Sequence, residues 1–216
     1  MKLVVINGGV SDPSSTGMLA GRLSQNVVQL AAEHSETVDV TVLELRTLAN
    51  EIATGLVSGL NGPGLEDATR ALRDADGIIA ATPVYKAGIS GLFKSFADLL
   101  DNDLLIAKPV LLAATAGTAR HALVVDESLR SLFTYLRAIT LPTAVFASSE
   151  DWGDPALSER IERAAHELVA LAEAGVEGRI RGASWSRYQH ELGSNGGEEL
   201  AIDLGSDMMR LATGAT

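Results

Sequence analysis

Four short stretches of the chain are almost continuously apolar, residues 3–7, 77–82, 109–115 and 141–147, and a fifth, residues 38–43, is more mixed. Unbroken apolar runs of this length belong to strands covered on both faces, as in a parallel sheet. Between them the period changes. Leu19, Leu23, Val27 and Leu30 recur at spacings of four and three, as do Leu65, Ala68, Leu72 and Ala75, then Leu92, Phe96 and Leu99, then Leu129, Leu132, Phe133 and Leu136. A last run, Leu157, Ile161, Ala164, Leu168 and Leu171, is preceded by Asp154 as a helix cap and Pro155 at the first helical position. Strand and helix alternate throughout, which predicts an α/β fold: a doubly wound, five-stranded parallel sheet with helices on both faces. Residues 49–64 interrupt the pattern with four glycines and a proline, and are predicted to be a mobile excursion. After Gly175 the chain turns polar and glycine-rich before an apolar end, "LAIDLGSDMMRLATGAT". The expected organisation is a domain over residues 1–175 and a tail over 176–216 that serves as an oligomerisation arm.

Composition narrows the picture. At 216 residues the chain suits one domain with an appendage. A net charge of −11 and a pI near 4.8 repel nucleic acid and anionic lipid, so neither is an expected partner. A site for a phosphorylated ligand must then be made locally, within a Debye length of roughly 8 Å. There is no cysteine, which removes disulfides, thiolate metal sites and thiol nucleophiles. His34, His166 and His190 have no metal-ligand spacing, and no metal is expected. The first apolar run is too short for a signal peptide, and "LLIAKPVLLAATA" is split by Lys108 and Pro109. The expectation is a soluble, cytoplasmic protein.

The candidate chemistry lies in the loops that follow the strands. The first, "NGGVSDPSSTG", leaves a strand and enters a helix, where unpaired N–H groups and the positive end of the helix dipole meet. Its small residues admit an anion, and the hydroxyls of Ser11, Ser15 and Thr16 add neutral donors. The Gly-Lys-Ser/Thr of a nucleoside-triphosphate loop is absent, and Gly8-Gly9-Val10-Ser11-Asp12-Pro13 breaks the dinucleotide fingerprint. A long hydroxyl-rich loop suits a terminal monophosphate. Asp12 must point away from it, and the nearest following cation, Arg22, lies well inside the helix. The third strand runs into "TPVYKAGISG", where Pro83 and Val84 precede Tyr85, and Gly88 and Gly91 leave one side open for a flat ring. The fourth ends in Thr115, Ala116, Gly117 and Thr118, followed by Arg120 and His121, and continues the same edge of the sheet.

These three blocks together resemble the NADPH-dependent FMN reductase family of flavodoxin-like proteins: Ser11-x-x-x-Ser15-Thr16, then Thr82-Pro83-Val84-Tyr85-x-x-Gly88-x-x-Gly91, then Ala116-Gly117-Thr118-Ala119-Arg120-His121-Ala122-Leu123. The resemblance covers roughly residues 1–175. It implies strand order 2-1-3-4-5 and hydride transfer from NADPH or NADH to FMN. It also implies a homodimer or homotetramer. The third block is similar to the branch that supplies reduced FMN to a flavin-dependent monooxygenase. By this resemblance Ser11, Ser15 and Thr16 bind the FMN phosphate, Pro83, Val84 and Tyr85 line the isoalloxazine, and Gly117 and Thr118 meet its pyrimidine edge. Arg120 and His121 are placed against the phosphates of the pyridine nucleotide, although a histidine in such a loop is more often a surface or capping residue. No catalytic side chain is assigned, because the hydride step needs no general acid or base. The chain departs from the family's pattern at Asp12, where many relatives have a basic residue in the loop, and at Ala116, where many have a second glycine. Two other readings fit the same residues: a flavodoxin-type electron carrier, and a quinone or azo-dye reductase. Trp152, after the fifth strand, is a second aromatic that could approach the ring.

Overall fold

A computed structural model describes residues 1–184; residues 185–216, most of the expected oligomerisation arm, lie outside the described residues. The chain runs β1 (Lys2–Asn7), α1 (Ser15–Glu33), β2 (Asp39–Glu44), α2 (Ala49–Ser58), α3 (Pro63–Asp74), β3 (Gly77–Tyr85), β4 (Gly88–Ile89), α4 (Gly91–Ala97) and β5 (Pro109–Thr115). It continues through a π-helical segment, Val125–Arg130, into α5 (Ser131–Tyr135), then β6 (Ile139–Thr140), β7 (Val145–Ala147), α6 (Pro155–Glu173) and α7 (Val176–Ser184).

The sheet order is β2-β1-β3-β5-β6, with β7 also beside β5 and all of these pairs parallel. Val5 faces Ile79, and Ile79 faces Leu111, so the middle strands are in step. This is the expected order, with two corrections to the strand count. The hairpin strand β4 folds back antiparallel on β3. The expected fifth strand, residues 141–147, is two pieces: Val110 pairs with Thr140 and Ala113 with Val145, so two extra residues bulge out between them. Pro142 lies in the bulge and has no N–H to give the ladder. The displaced polar groups find side chains instead. Arg130 Nη1 donates to the Leu141 carbonyl (2.7 Å), and Thr143 donates to Glu167 through its N–H (2.8 Å) and hydroxyl (2.6 Å).

Alternate residues of each strand enter two cores. Ile6, Ile78, Ala80 and Leu112 pack with Ile52, Leu65, Phe93 and Phe133 under α2–α5. Leu3, Val5, Ile79, Ala81 and Leu111 pack with Leu19, Leu23, Val27, Ile161 and Leu168 under α1 and α6. Each such large side chain contributes ~1.5–3 kcal/mol on burial. Asp154 caps α6 through its side chain and Pro155 opens it, as the sequence predicts.

Residues 49–64 are not a mobile excursion. They form α2 and the start of α3, and the glycines have structural uses. Gly55 packs against Leu99, where a Cβ would come to 3.2 Å. Gly59, at φ +70°, ends α2 in the left-handed conformation glycine favours. Gly62 and Gly64 leave room for the Glu51 carboxylate, which accepts the Leu65 N–H (3.1 Å) at the start of α3.

At the opposite end of the sheet from the loops, Lys108 is 1% exposed. Its Nζ donates to the carbonyls of Arg73 and Ala75 (both 2.8 Å) and to Glu177 Oε2 (2.9 Å) on α7. Burial pushes its ammonium pKa below the usual lysine range, against the opposing pull of Glu177. Among the described residues no helix is long and apolar enough to cross a membrane.

Candidate functional site

The carboxyl ends of β1, β3 and β5 lie side by side, and a loop leaves each. The first is fastened at its base. Gly8 donates its N–H to the Ala81 carbonyl of β3 (2.8 Å), and Gly9 donates to Asn7 Oδ1 (3.0 Å). Asn7 Nδ2 in turn donates to both carboxylate oxygens of Glu44 at the end of β2 (3.1 and 3.0 Å). A Cβ on Gly9 would run into the Ser14 side chain and lie 3.1 Å from Asn7 Oδ1. Ser14 has extended backbone angles and its hydroxyl accepts the Gly17 N–H (3.2 Å), which makes it the cap of α1. Capping at Ser14 leaves the N–H groups of Ser15 and Thr16, in the first turn, without helical acceptors.

Ser11 and Ser15 are exposed at this turn. Thr16 is buried, and its hydroxyl lies 2.7 Å from that of Thr115, itself 5% exposed at the end of β5. Two residues expected to meet a ligand separately are therefore joined to each other, and they tie the start of α1 to the fourth-strand loop.

In the second loop, Pro83 is buried and Val84 is 8% exposed, whereas Tyr85 is 49% exposed. Thr82 Oγ1 accepts the Ser90 N–H (3.1 Å), and Ser90 Oγ accepts the Phe93 N–H (3.5 Å), so the returning chain is held against β3. Between Tyr85 and Gly88 the chain reverses through Lys86 (φ 50°) and Ala87 (φ 64°). Both lie in the left-handed region that hairpin turns usually reserve for Gly or Asn, a strain of order 1–3 kcal/mol each. In the third loop Ala116 donates to the Ala147 carbonyl (3.1 Å), and Gly117, Thr118 and Arg120 are exposed, with His121 half-buried behind them. Nothing stands within 4 Å of a Cβ built on Gly91 or Gly117, and only the Tyr85 carbonyl, at 4.0 Å, reaches one on Gly88. An open, glycine-faced surface with one exposed aromatic ring thus lies across the sheet edge from a helix N-terminus with two N–H groups lacking helical acceptors. That arrangement fits a flat heterocycle ending in a phosphate.

Arg46 is the residue that motif reading passed over. It sits in the 3-10 turn Leu45–Leu48 after β2, and its Nη2 is 3.2 Å from Asp12 Oδ2 in the first loop. The strand order held the signal, because β2 is the neighbour of β1 and its following turn abuts the first loop. Trp152 is placed elsewhere: the Arg22 guanidinium lies 5.1 Å from its ring centroid. The two line a groove of about 640 Å³ between α1 and α6 that contains none of the three loops. Nearby, Asp151 accepts the Ser148 N–H (2.6 Å), which holds its carboxyl below the usual range. Among the described residues no group of three or more His, Asp or Glu side chains is placed to hold a metal ion.

The family model described as NADPH-dependent FMN reductase matches residues 1–153. An NADH-dependent FMN reductase of Pseudomonas putida, SfnE, is 39% identical over 176 residues, covering 79% of this chain and 92% of that protein. An FMN reductase (NADPH) of Pseudomonas aeruginosa is 38% identical over 175 residues, 79% of this chain and 91% of its own. Among solved structures, an oxidoreductase from Corynebacterium diphtheriae superposes with a TM-score of 0.78 at 43% identity, over 80% of this chain and 97% of that one.

Proposed function

The chain belongs to the NADPH-dependent FMN reductase family, and from that membership we propose how its sheet edge carries out the family's reaction. The protein is an NAD(P)H:FMN oxidoreductase with FMN and NADPH or NADH as its redox partners. The bound flavin supplies the acceptor for the hydride that the nicotinamide gives up. The chain's own task is to place two rings against each other and keep water out. The N–H groups of Ser15 and Thr16, with the hydroxyls of Ser11 and Ser15, hold the phosphate. The Thr16 hydroxyl, bonded to Thr115, keeps the phosphate end in register with the ring end. The backbone of Pro83 and Val84, the ring of Tyr85 and the open side of Gly88 line the isoalloxazine, and Gly117 and Thr118 meet its pyrimidine edge. Arg120 and His121 face the phosphates of the pyridine nucleotide.

The observation that carries this reading is the pair of N–H groups, of Ser15 and Thr16, left without helical acceptors at the start of α1, opposite the open glycine surface of the other two loops. Steady-state oxidation of NADPH and of NADH, with and without added FMN, tests it. A rate that rises and saturates with FMN is expected. Flavin binding with no oxidation would return the electron-carrier reading. Replacing Arg120 by Ala is expected to raise KM for NADPH several-fold, by roughly the worth of one charge-assisted bond, with a smaller change in KM for FMN. Equal changes would remove Arg120 from the nucleotide site.

Reduced FMN then leaves for a flavin-dependent monooxygenase. Tyr85 supports this, as the one aromatic residue within the three loops: the loops hold no second ring to sandwich the flavin and retain it. Protein that elutes free of flavin yet turns over added FMN is the expected behaviour. The tail over residues 176–216 joins copies of the chain into a dimer or tetramer. Its apolar character from Leu200 onward supports this, and a chain truncated at Val176 that kept the full assembly mass would end it.

A further inference from the structure

The phosphate loop carries a charge that works against its ligand. Asp12 lies two residues before the cap of α1, there is no Lys or Arg in residues 8–17, and the whole chain carries −11. Glu44 brings a second carboxylate to the same place, because it holds Asn7 Nδ2 while Asn7 Oδ1 holds the Gly9 N–H. Two carboxylates beside a helix N-terminus compete with an incoming phosphate for the positive end of the dipole and repel it.

Arg46 reaches both. Its Nη2 is 3.2 Å from Asp12 Oδ2 and its Nε is 3.8 Å from Glu44 Oε2. The turn that carries it is anchored by Leu45, which is fully buried. The guanidinium has five N–H donors and these two contacts leave several unused. The side chains of Arg46, Glu44 and Asp12 are 39%, 38% and 74% exposed, and ion pairs so open to water add little to stability. Stability is therefore a poor reason for the cluster. Its position is a better one: it closes a chain of contacts from Gly9 through Asn7, Glu44 and Arg46 back to Asp12, encircling the loop.

We propose that Arg46 is a specificity-determining residue of the phosphate site. By holding Asp12 away from the first turn of α1 and offsetting one of the two negative charges that Asp12 and Glu44 bring, it makes the loop accept a flavin ending in a phosphate monoester in preference to one without it. The cation that this loop lacks in its own sequence is supplied by the turn that follows the neighbouring strand. This inference deepens the FMN reading above and rests on it.

The test compares FMN with riboflavin, which lacks the phosphate, on the full chain. Binding of each is read by quenching of flavin fluorescence, and turnover by NADPH oxidation. The unmodified protein is expected to prefer FMN. Arg46→Ala should weaken FMN binding roughly tenfold and leave riboflavin binding nearly unchanged, so that the preference collapses. Arg46→Lys should restore part of it. Asp12→Asn in the Arg46→Ala background should recover FMN binding, since it removes the carboxylate that Arg46 had neutralised. An equal loss for FMN and riboflavin in Arg46→Ala would mean a merely structural role and overturn the proposal, as would an unchanged preference. Absence of NADPH oxidation by the unmodified protein, with the flavin preference intact, would strike the reductase reading alone.

Discussion

At Gly9 even a methyl group would occupy the place of the Ser14 side chain and press on Asn7 Oδ1. Gly9→Ala is therefore expected to break the cap of α1 at a cost of about 1 kcal/mol, measured by urea denaturation, and to weaken FMN binding in the same variant. Gly117→Ala meets no such obstacle, because its Cβ would stand in open space, and serves as the control for stability. The two glycines look alike in the sequence. One is needed for room inside the protein and the other leaves room outside it, and only the fold around them separates the two roles. The same limit applies to Thr16 and Thr115, which lie 99 positions apart and meet in a single buried bond.

Among the elements, those with a long regular pattern are legible from sequence alone. The helices α1 and α6 follow directly from leucine spacing, and β1, β3 and β5 from unbroken apolar runs, because each is buried along most of one or both faces. The elements that escape are held by something distant. In α2 and the start of α3 the glycine count argues for a loop, and what makes the glycines useful is not next to them in sequence: Leu99 packs on Gly55, and the Glu51 carboxylate fills the space beside Gly62 and Gly64. The hairpin strand β4 has two residues, too few for any period. The bulge between β6 and β7 depends on Arg130 and Glu167, each from a different helical segment. Glu167→Ala would strip Thr143 of both its acceptors, and a loss of about 1–3 kcal/mol is expected in chemical denaturation. Of the site, the three loops were legible as motifs. Arg46 was not, since its relation to Asp12 arises from strand adjacency.

For the molecule as a whole, the described part of the C-terminal segment is fastened at the end of the sheet remote from the loops. Lys108 does this with one ammonium group, holding the end of α3 and Glu177 of α7 together. Lys108→Met would strip the Arg73 and Ala75 carbonyls of this donor and leave Glu177 with Arg181 as its remaining ion-pair partner. A loss of about 1–3 kcal/mol is expected, chiefly from the stranded carbonyls. The pH dependence has a definite sign. The folded-state pKa of Lys108 is lowered from the usual 10.5, so between that lowered value and 10.5 the unfolded chain binds a proton that the fold does not. Stability contributed by this group therefore rises with pH through that window and is at its least below it. Urea midpoints of the unmodified protein, taken against Lys108→Met over an alkaline series, should show the difference growing with pH. The broken strand has a consequence at this scale too. With β6 only two residues long, β7 three, and Pro142 between them, that margin of the sheet offers an arriving strand no continuous row of donors and acceptors. Two molecules meeting there cannot zip into a common sheet, so on this side the fold guards itself against polymerising while it is crowded, newly made or partly opened.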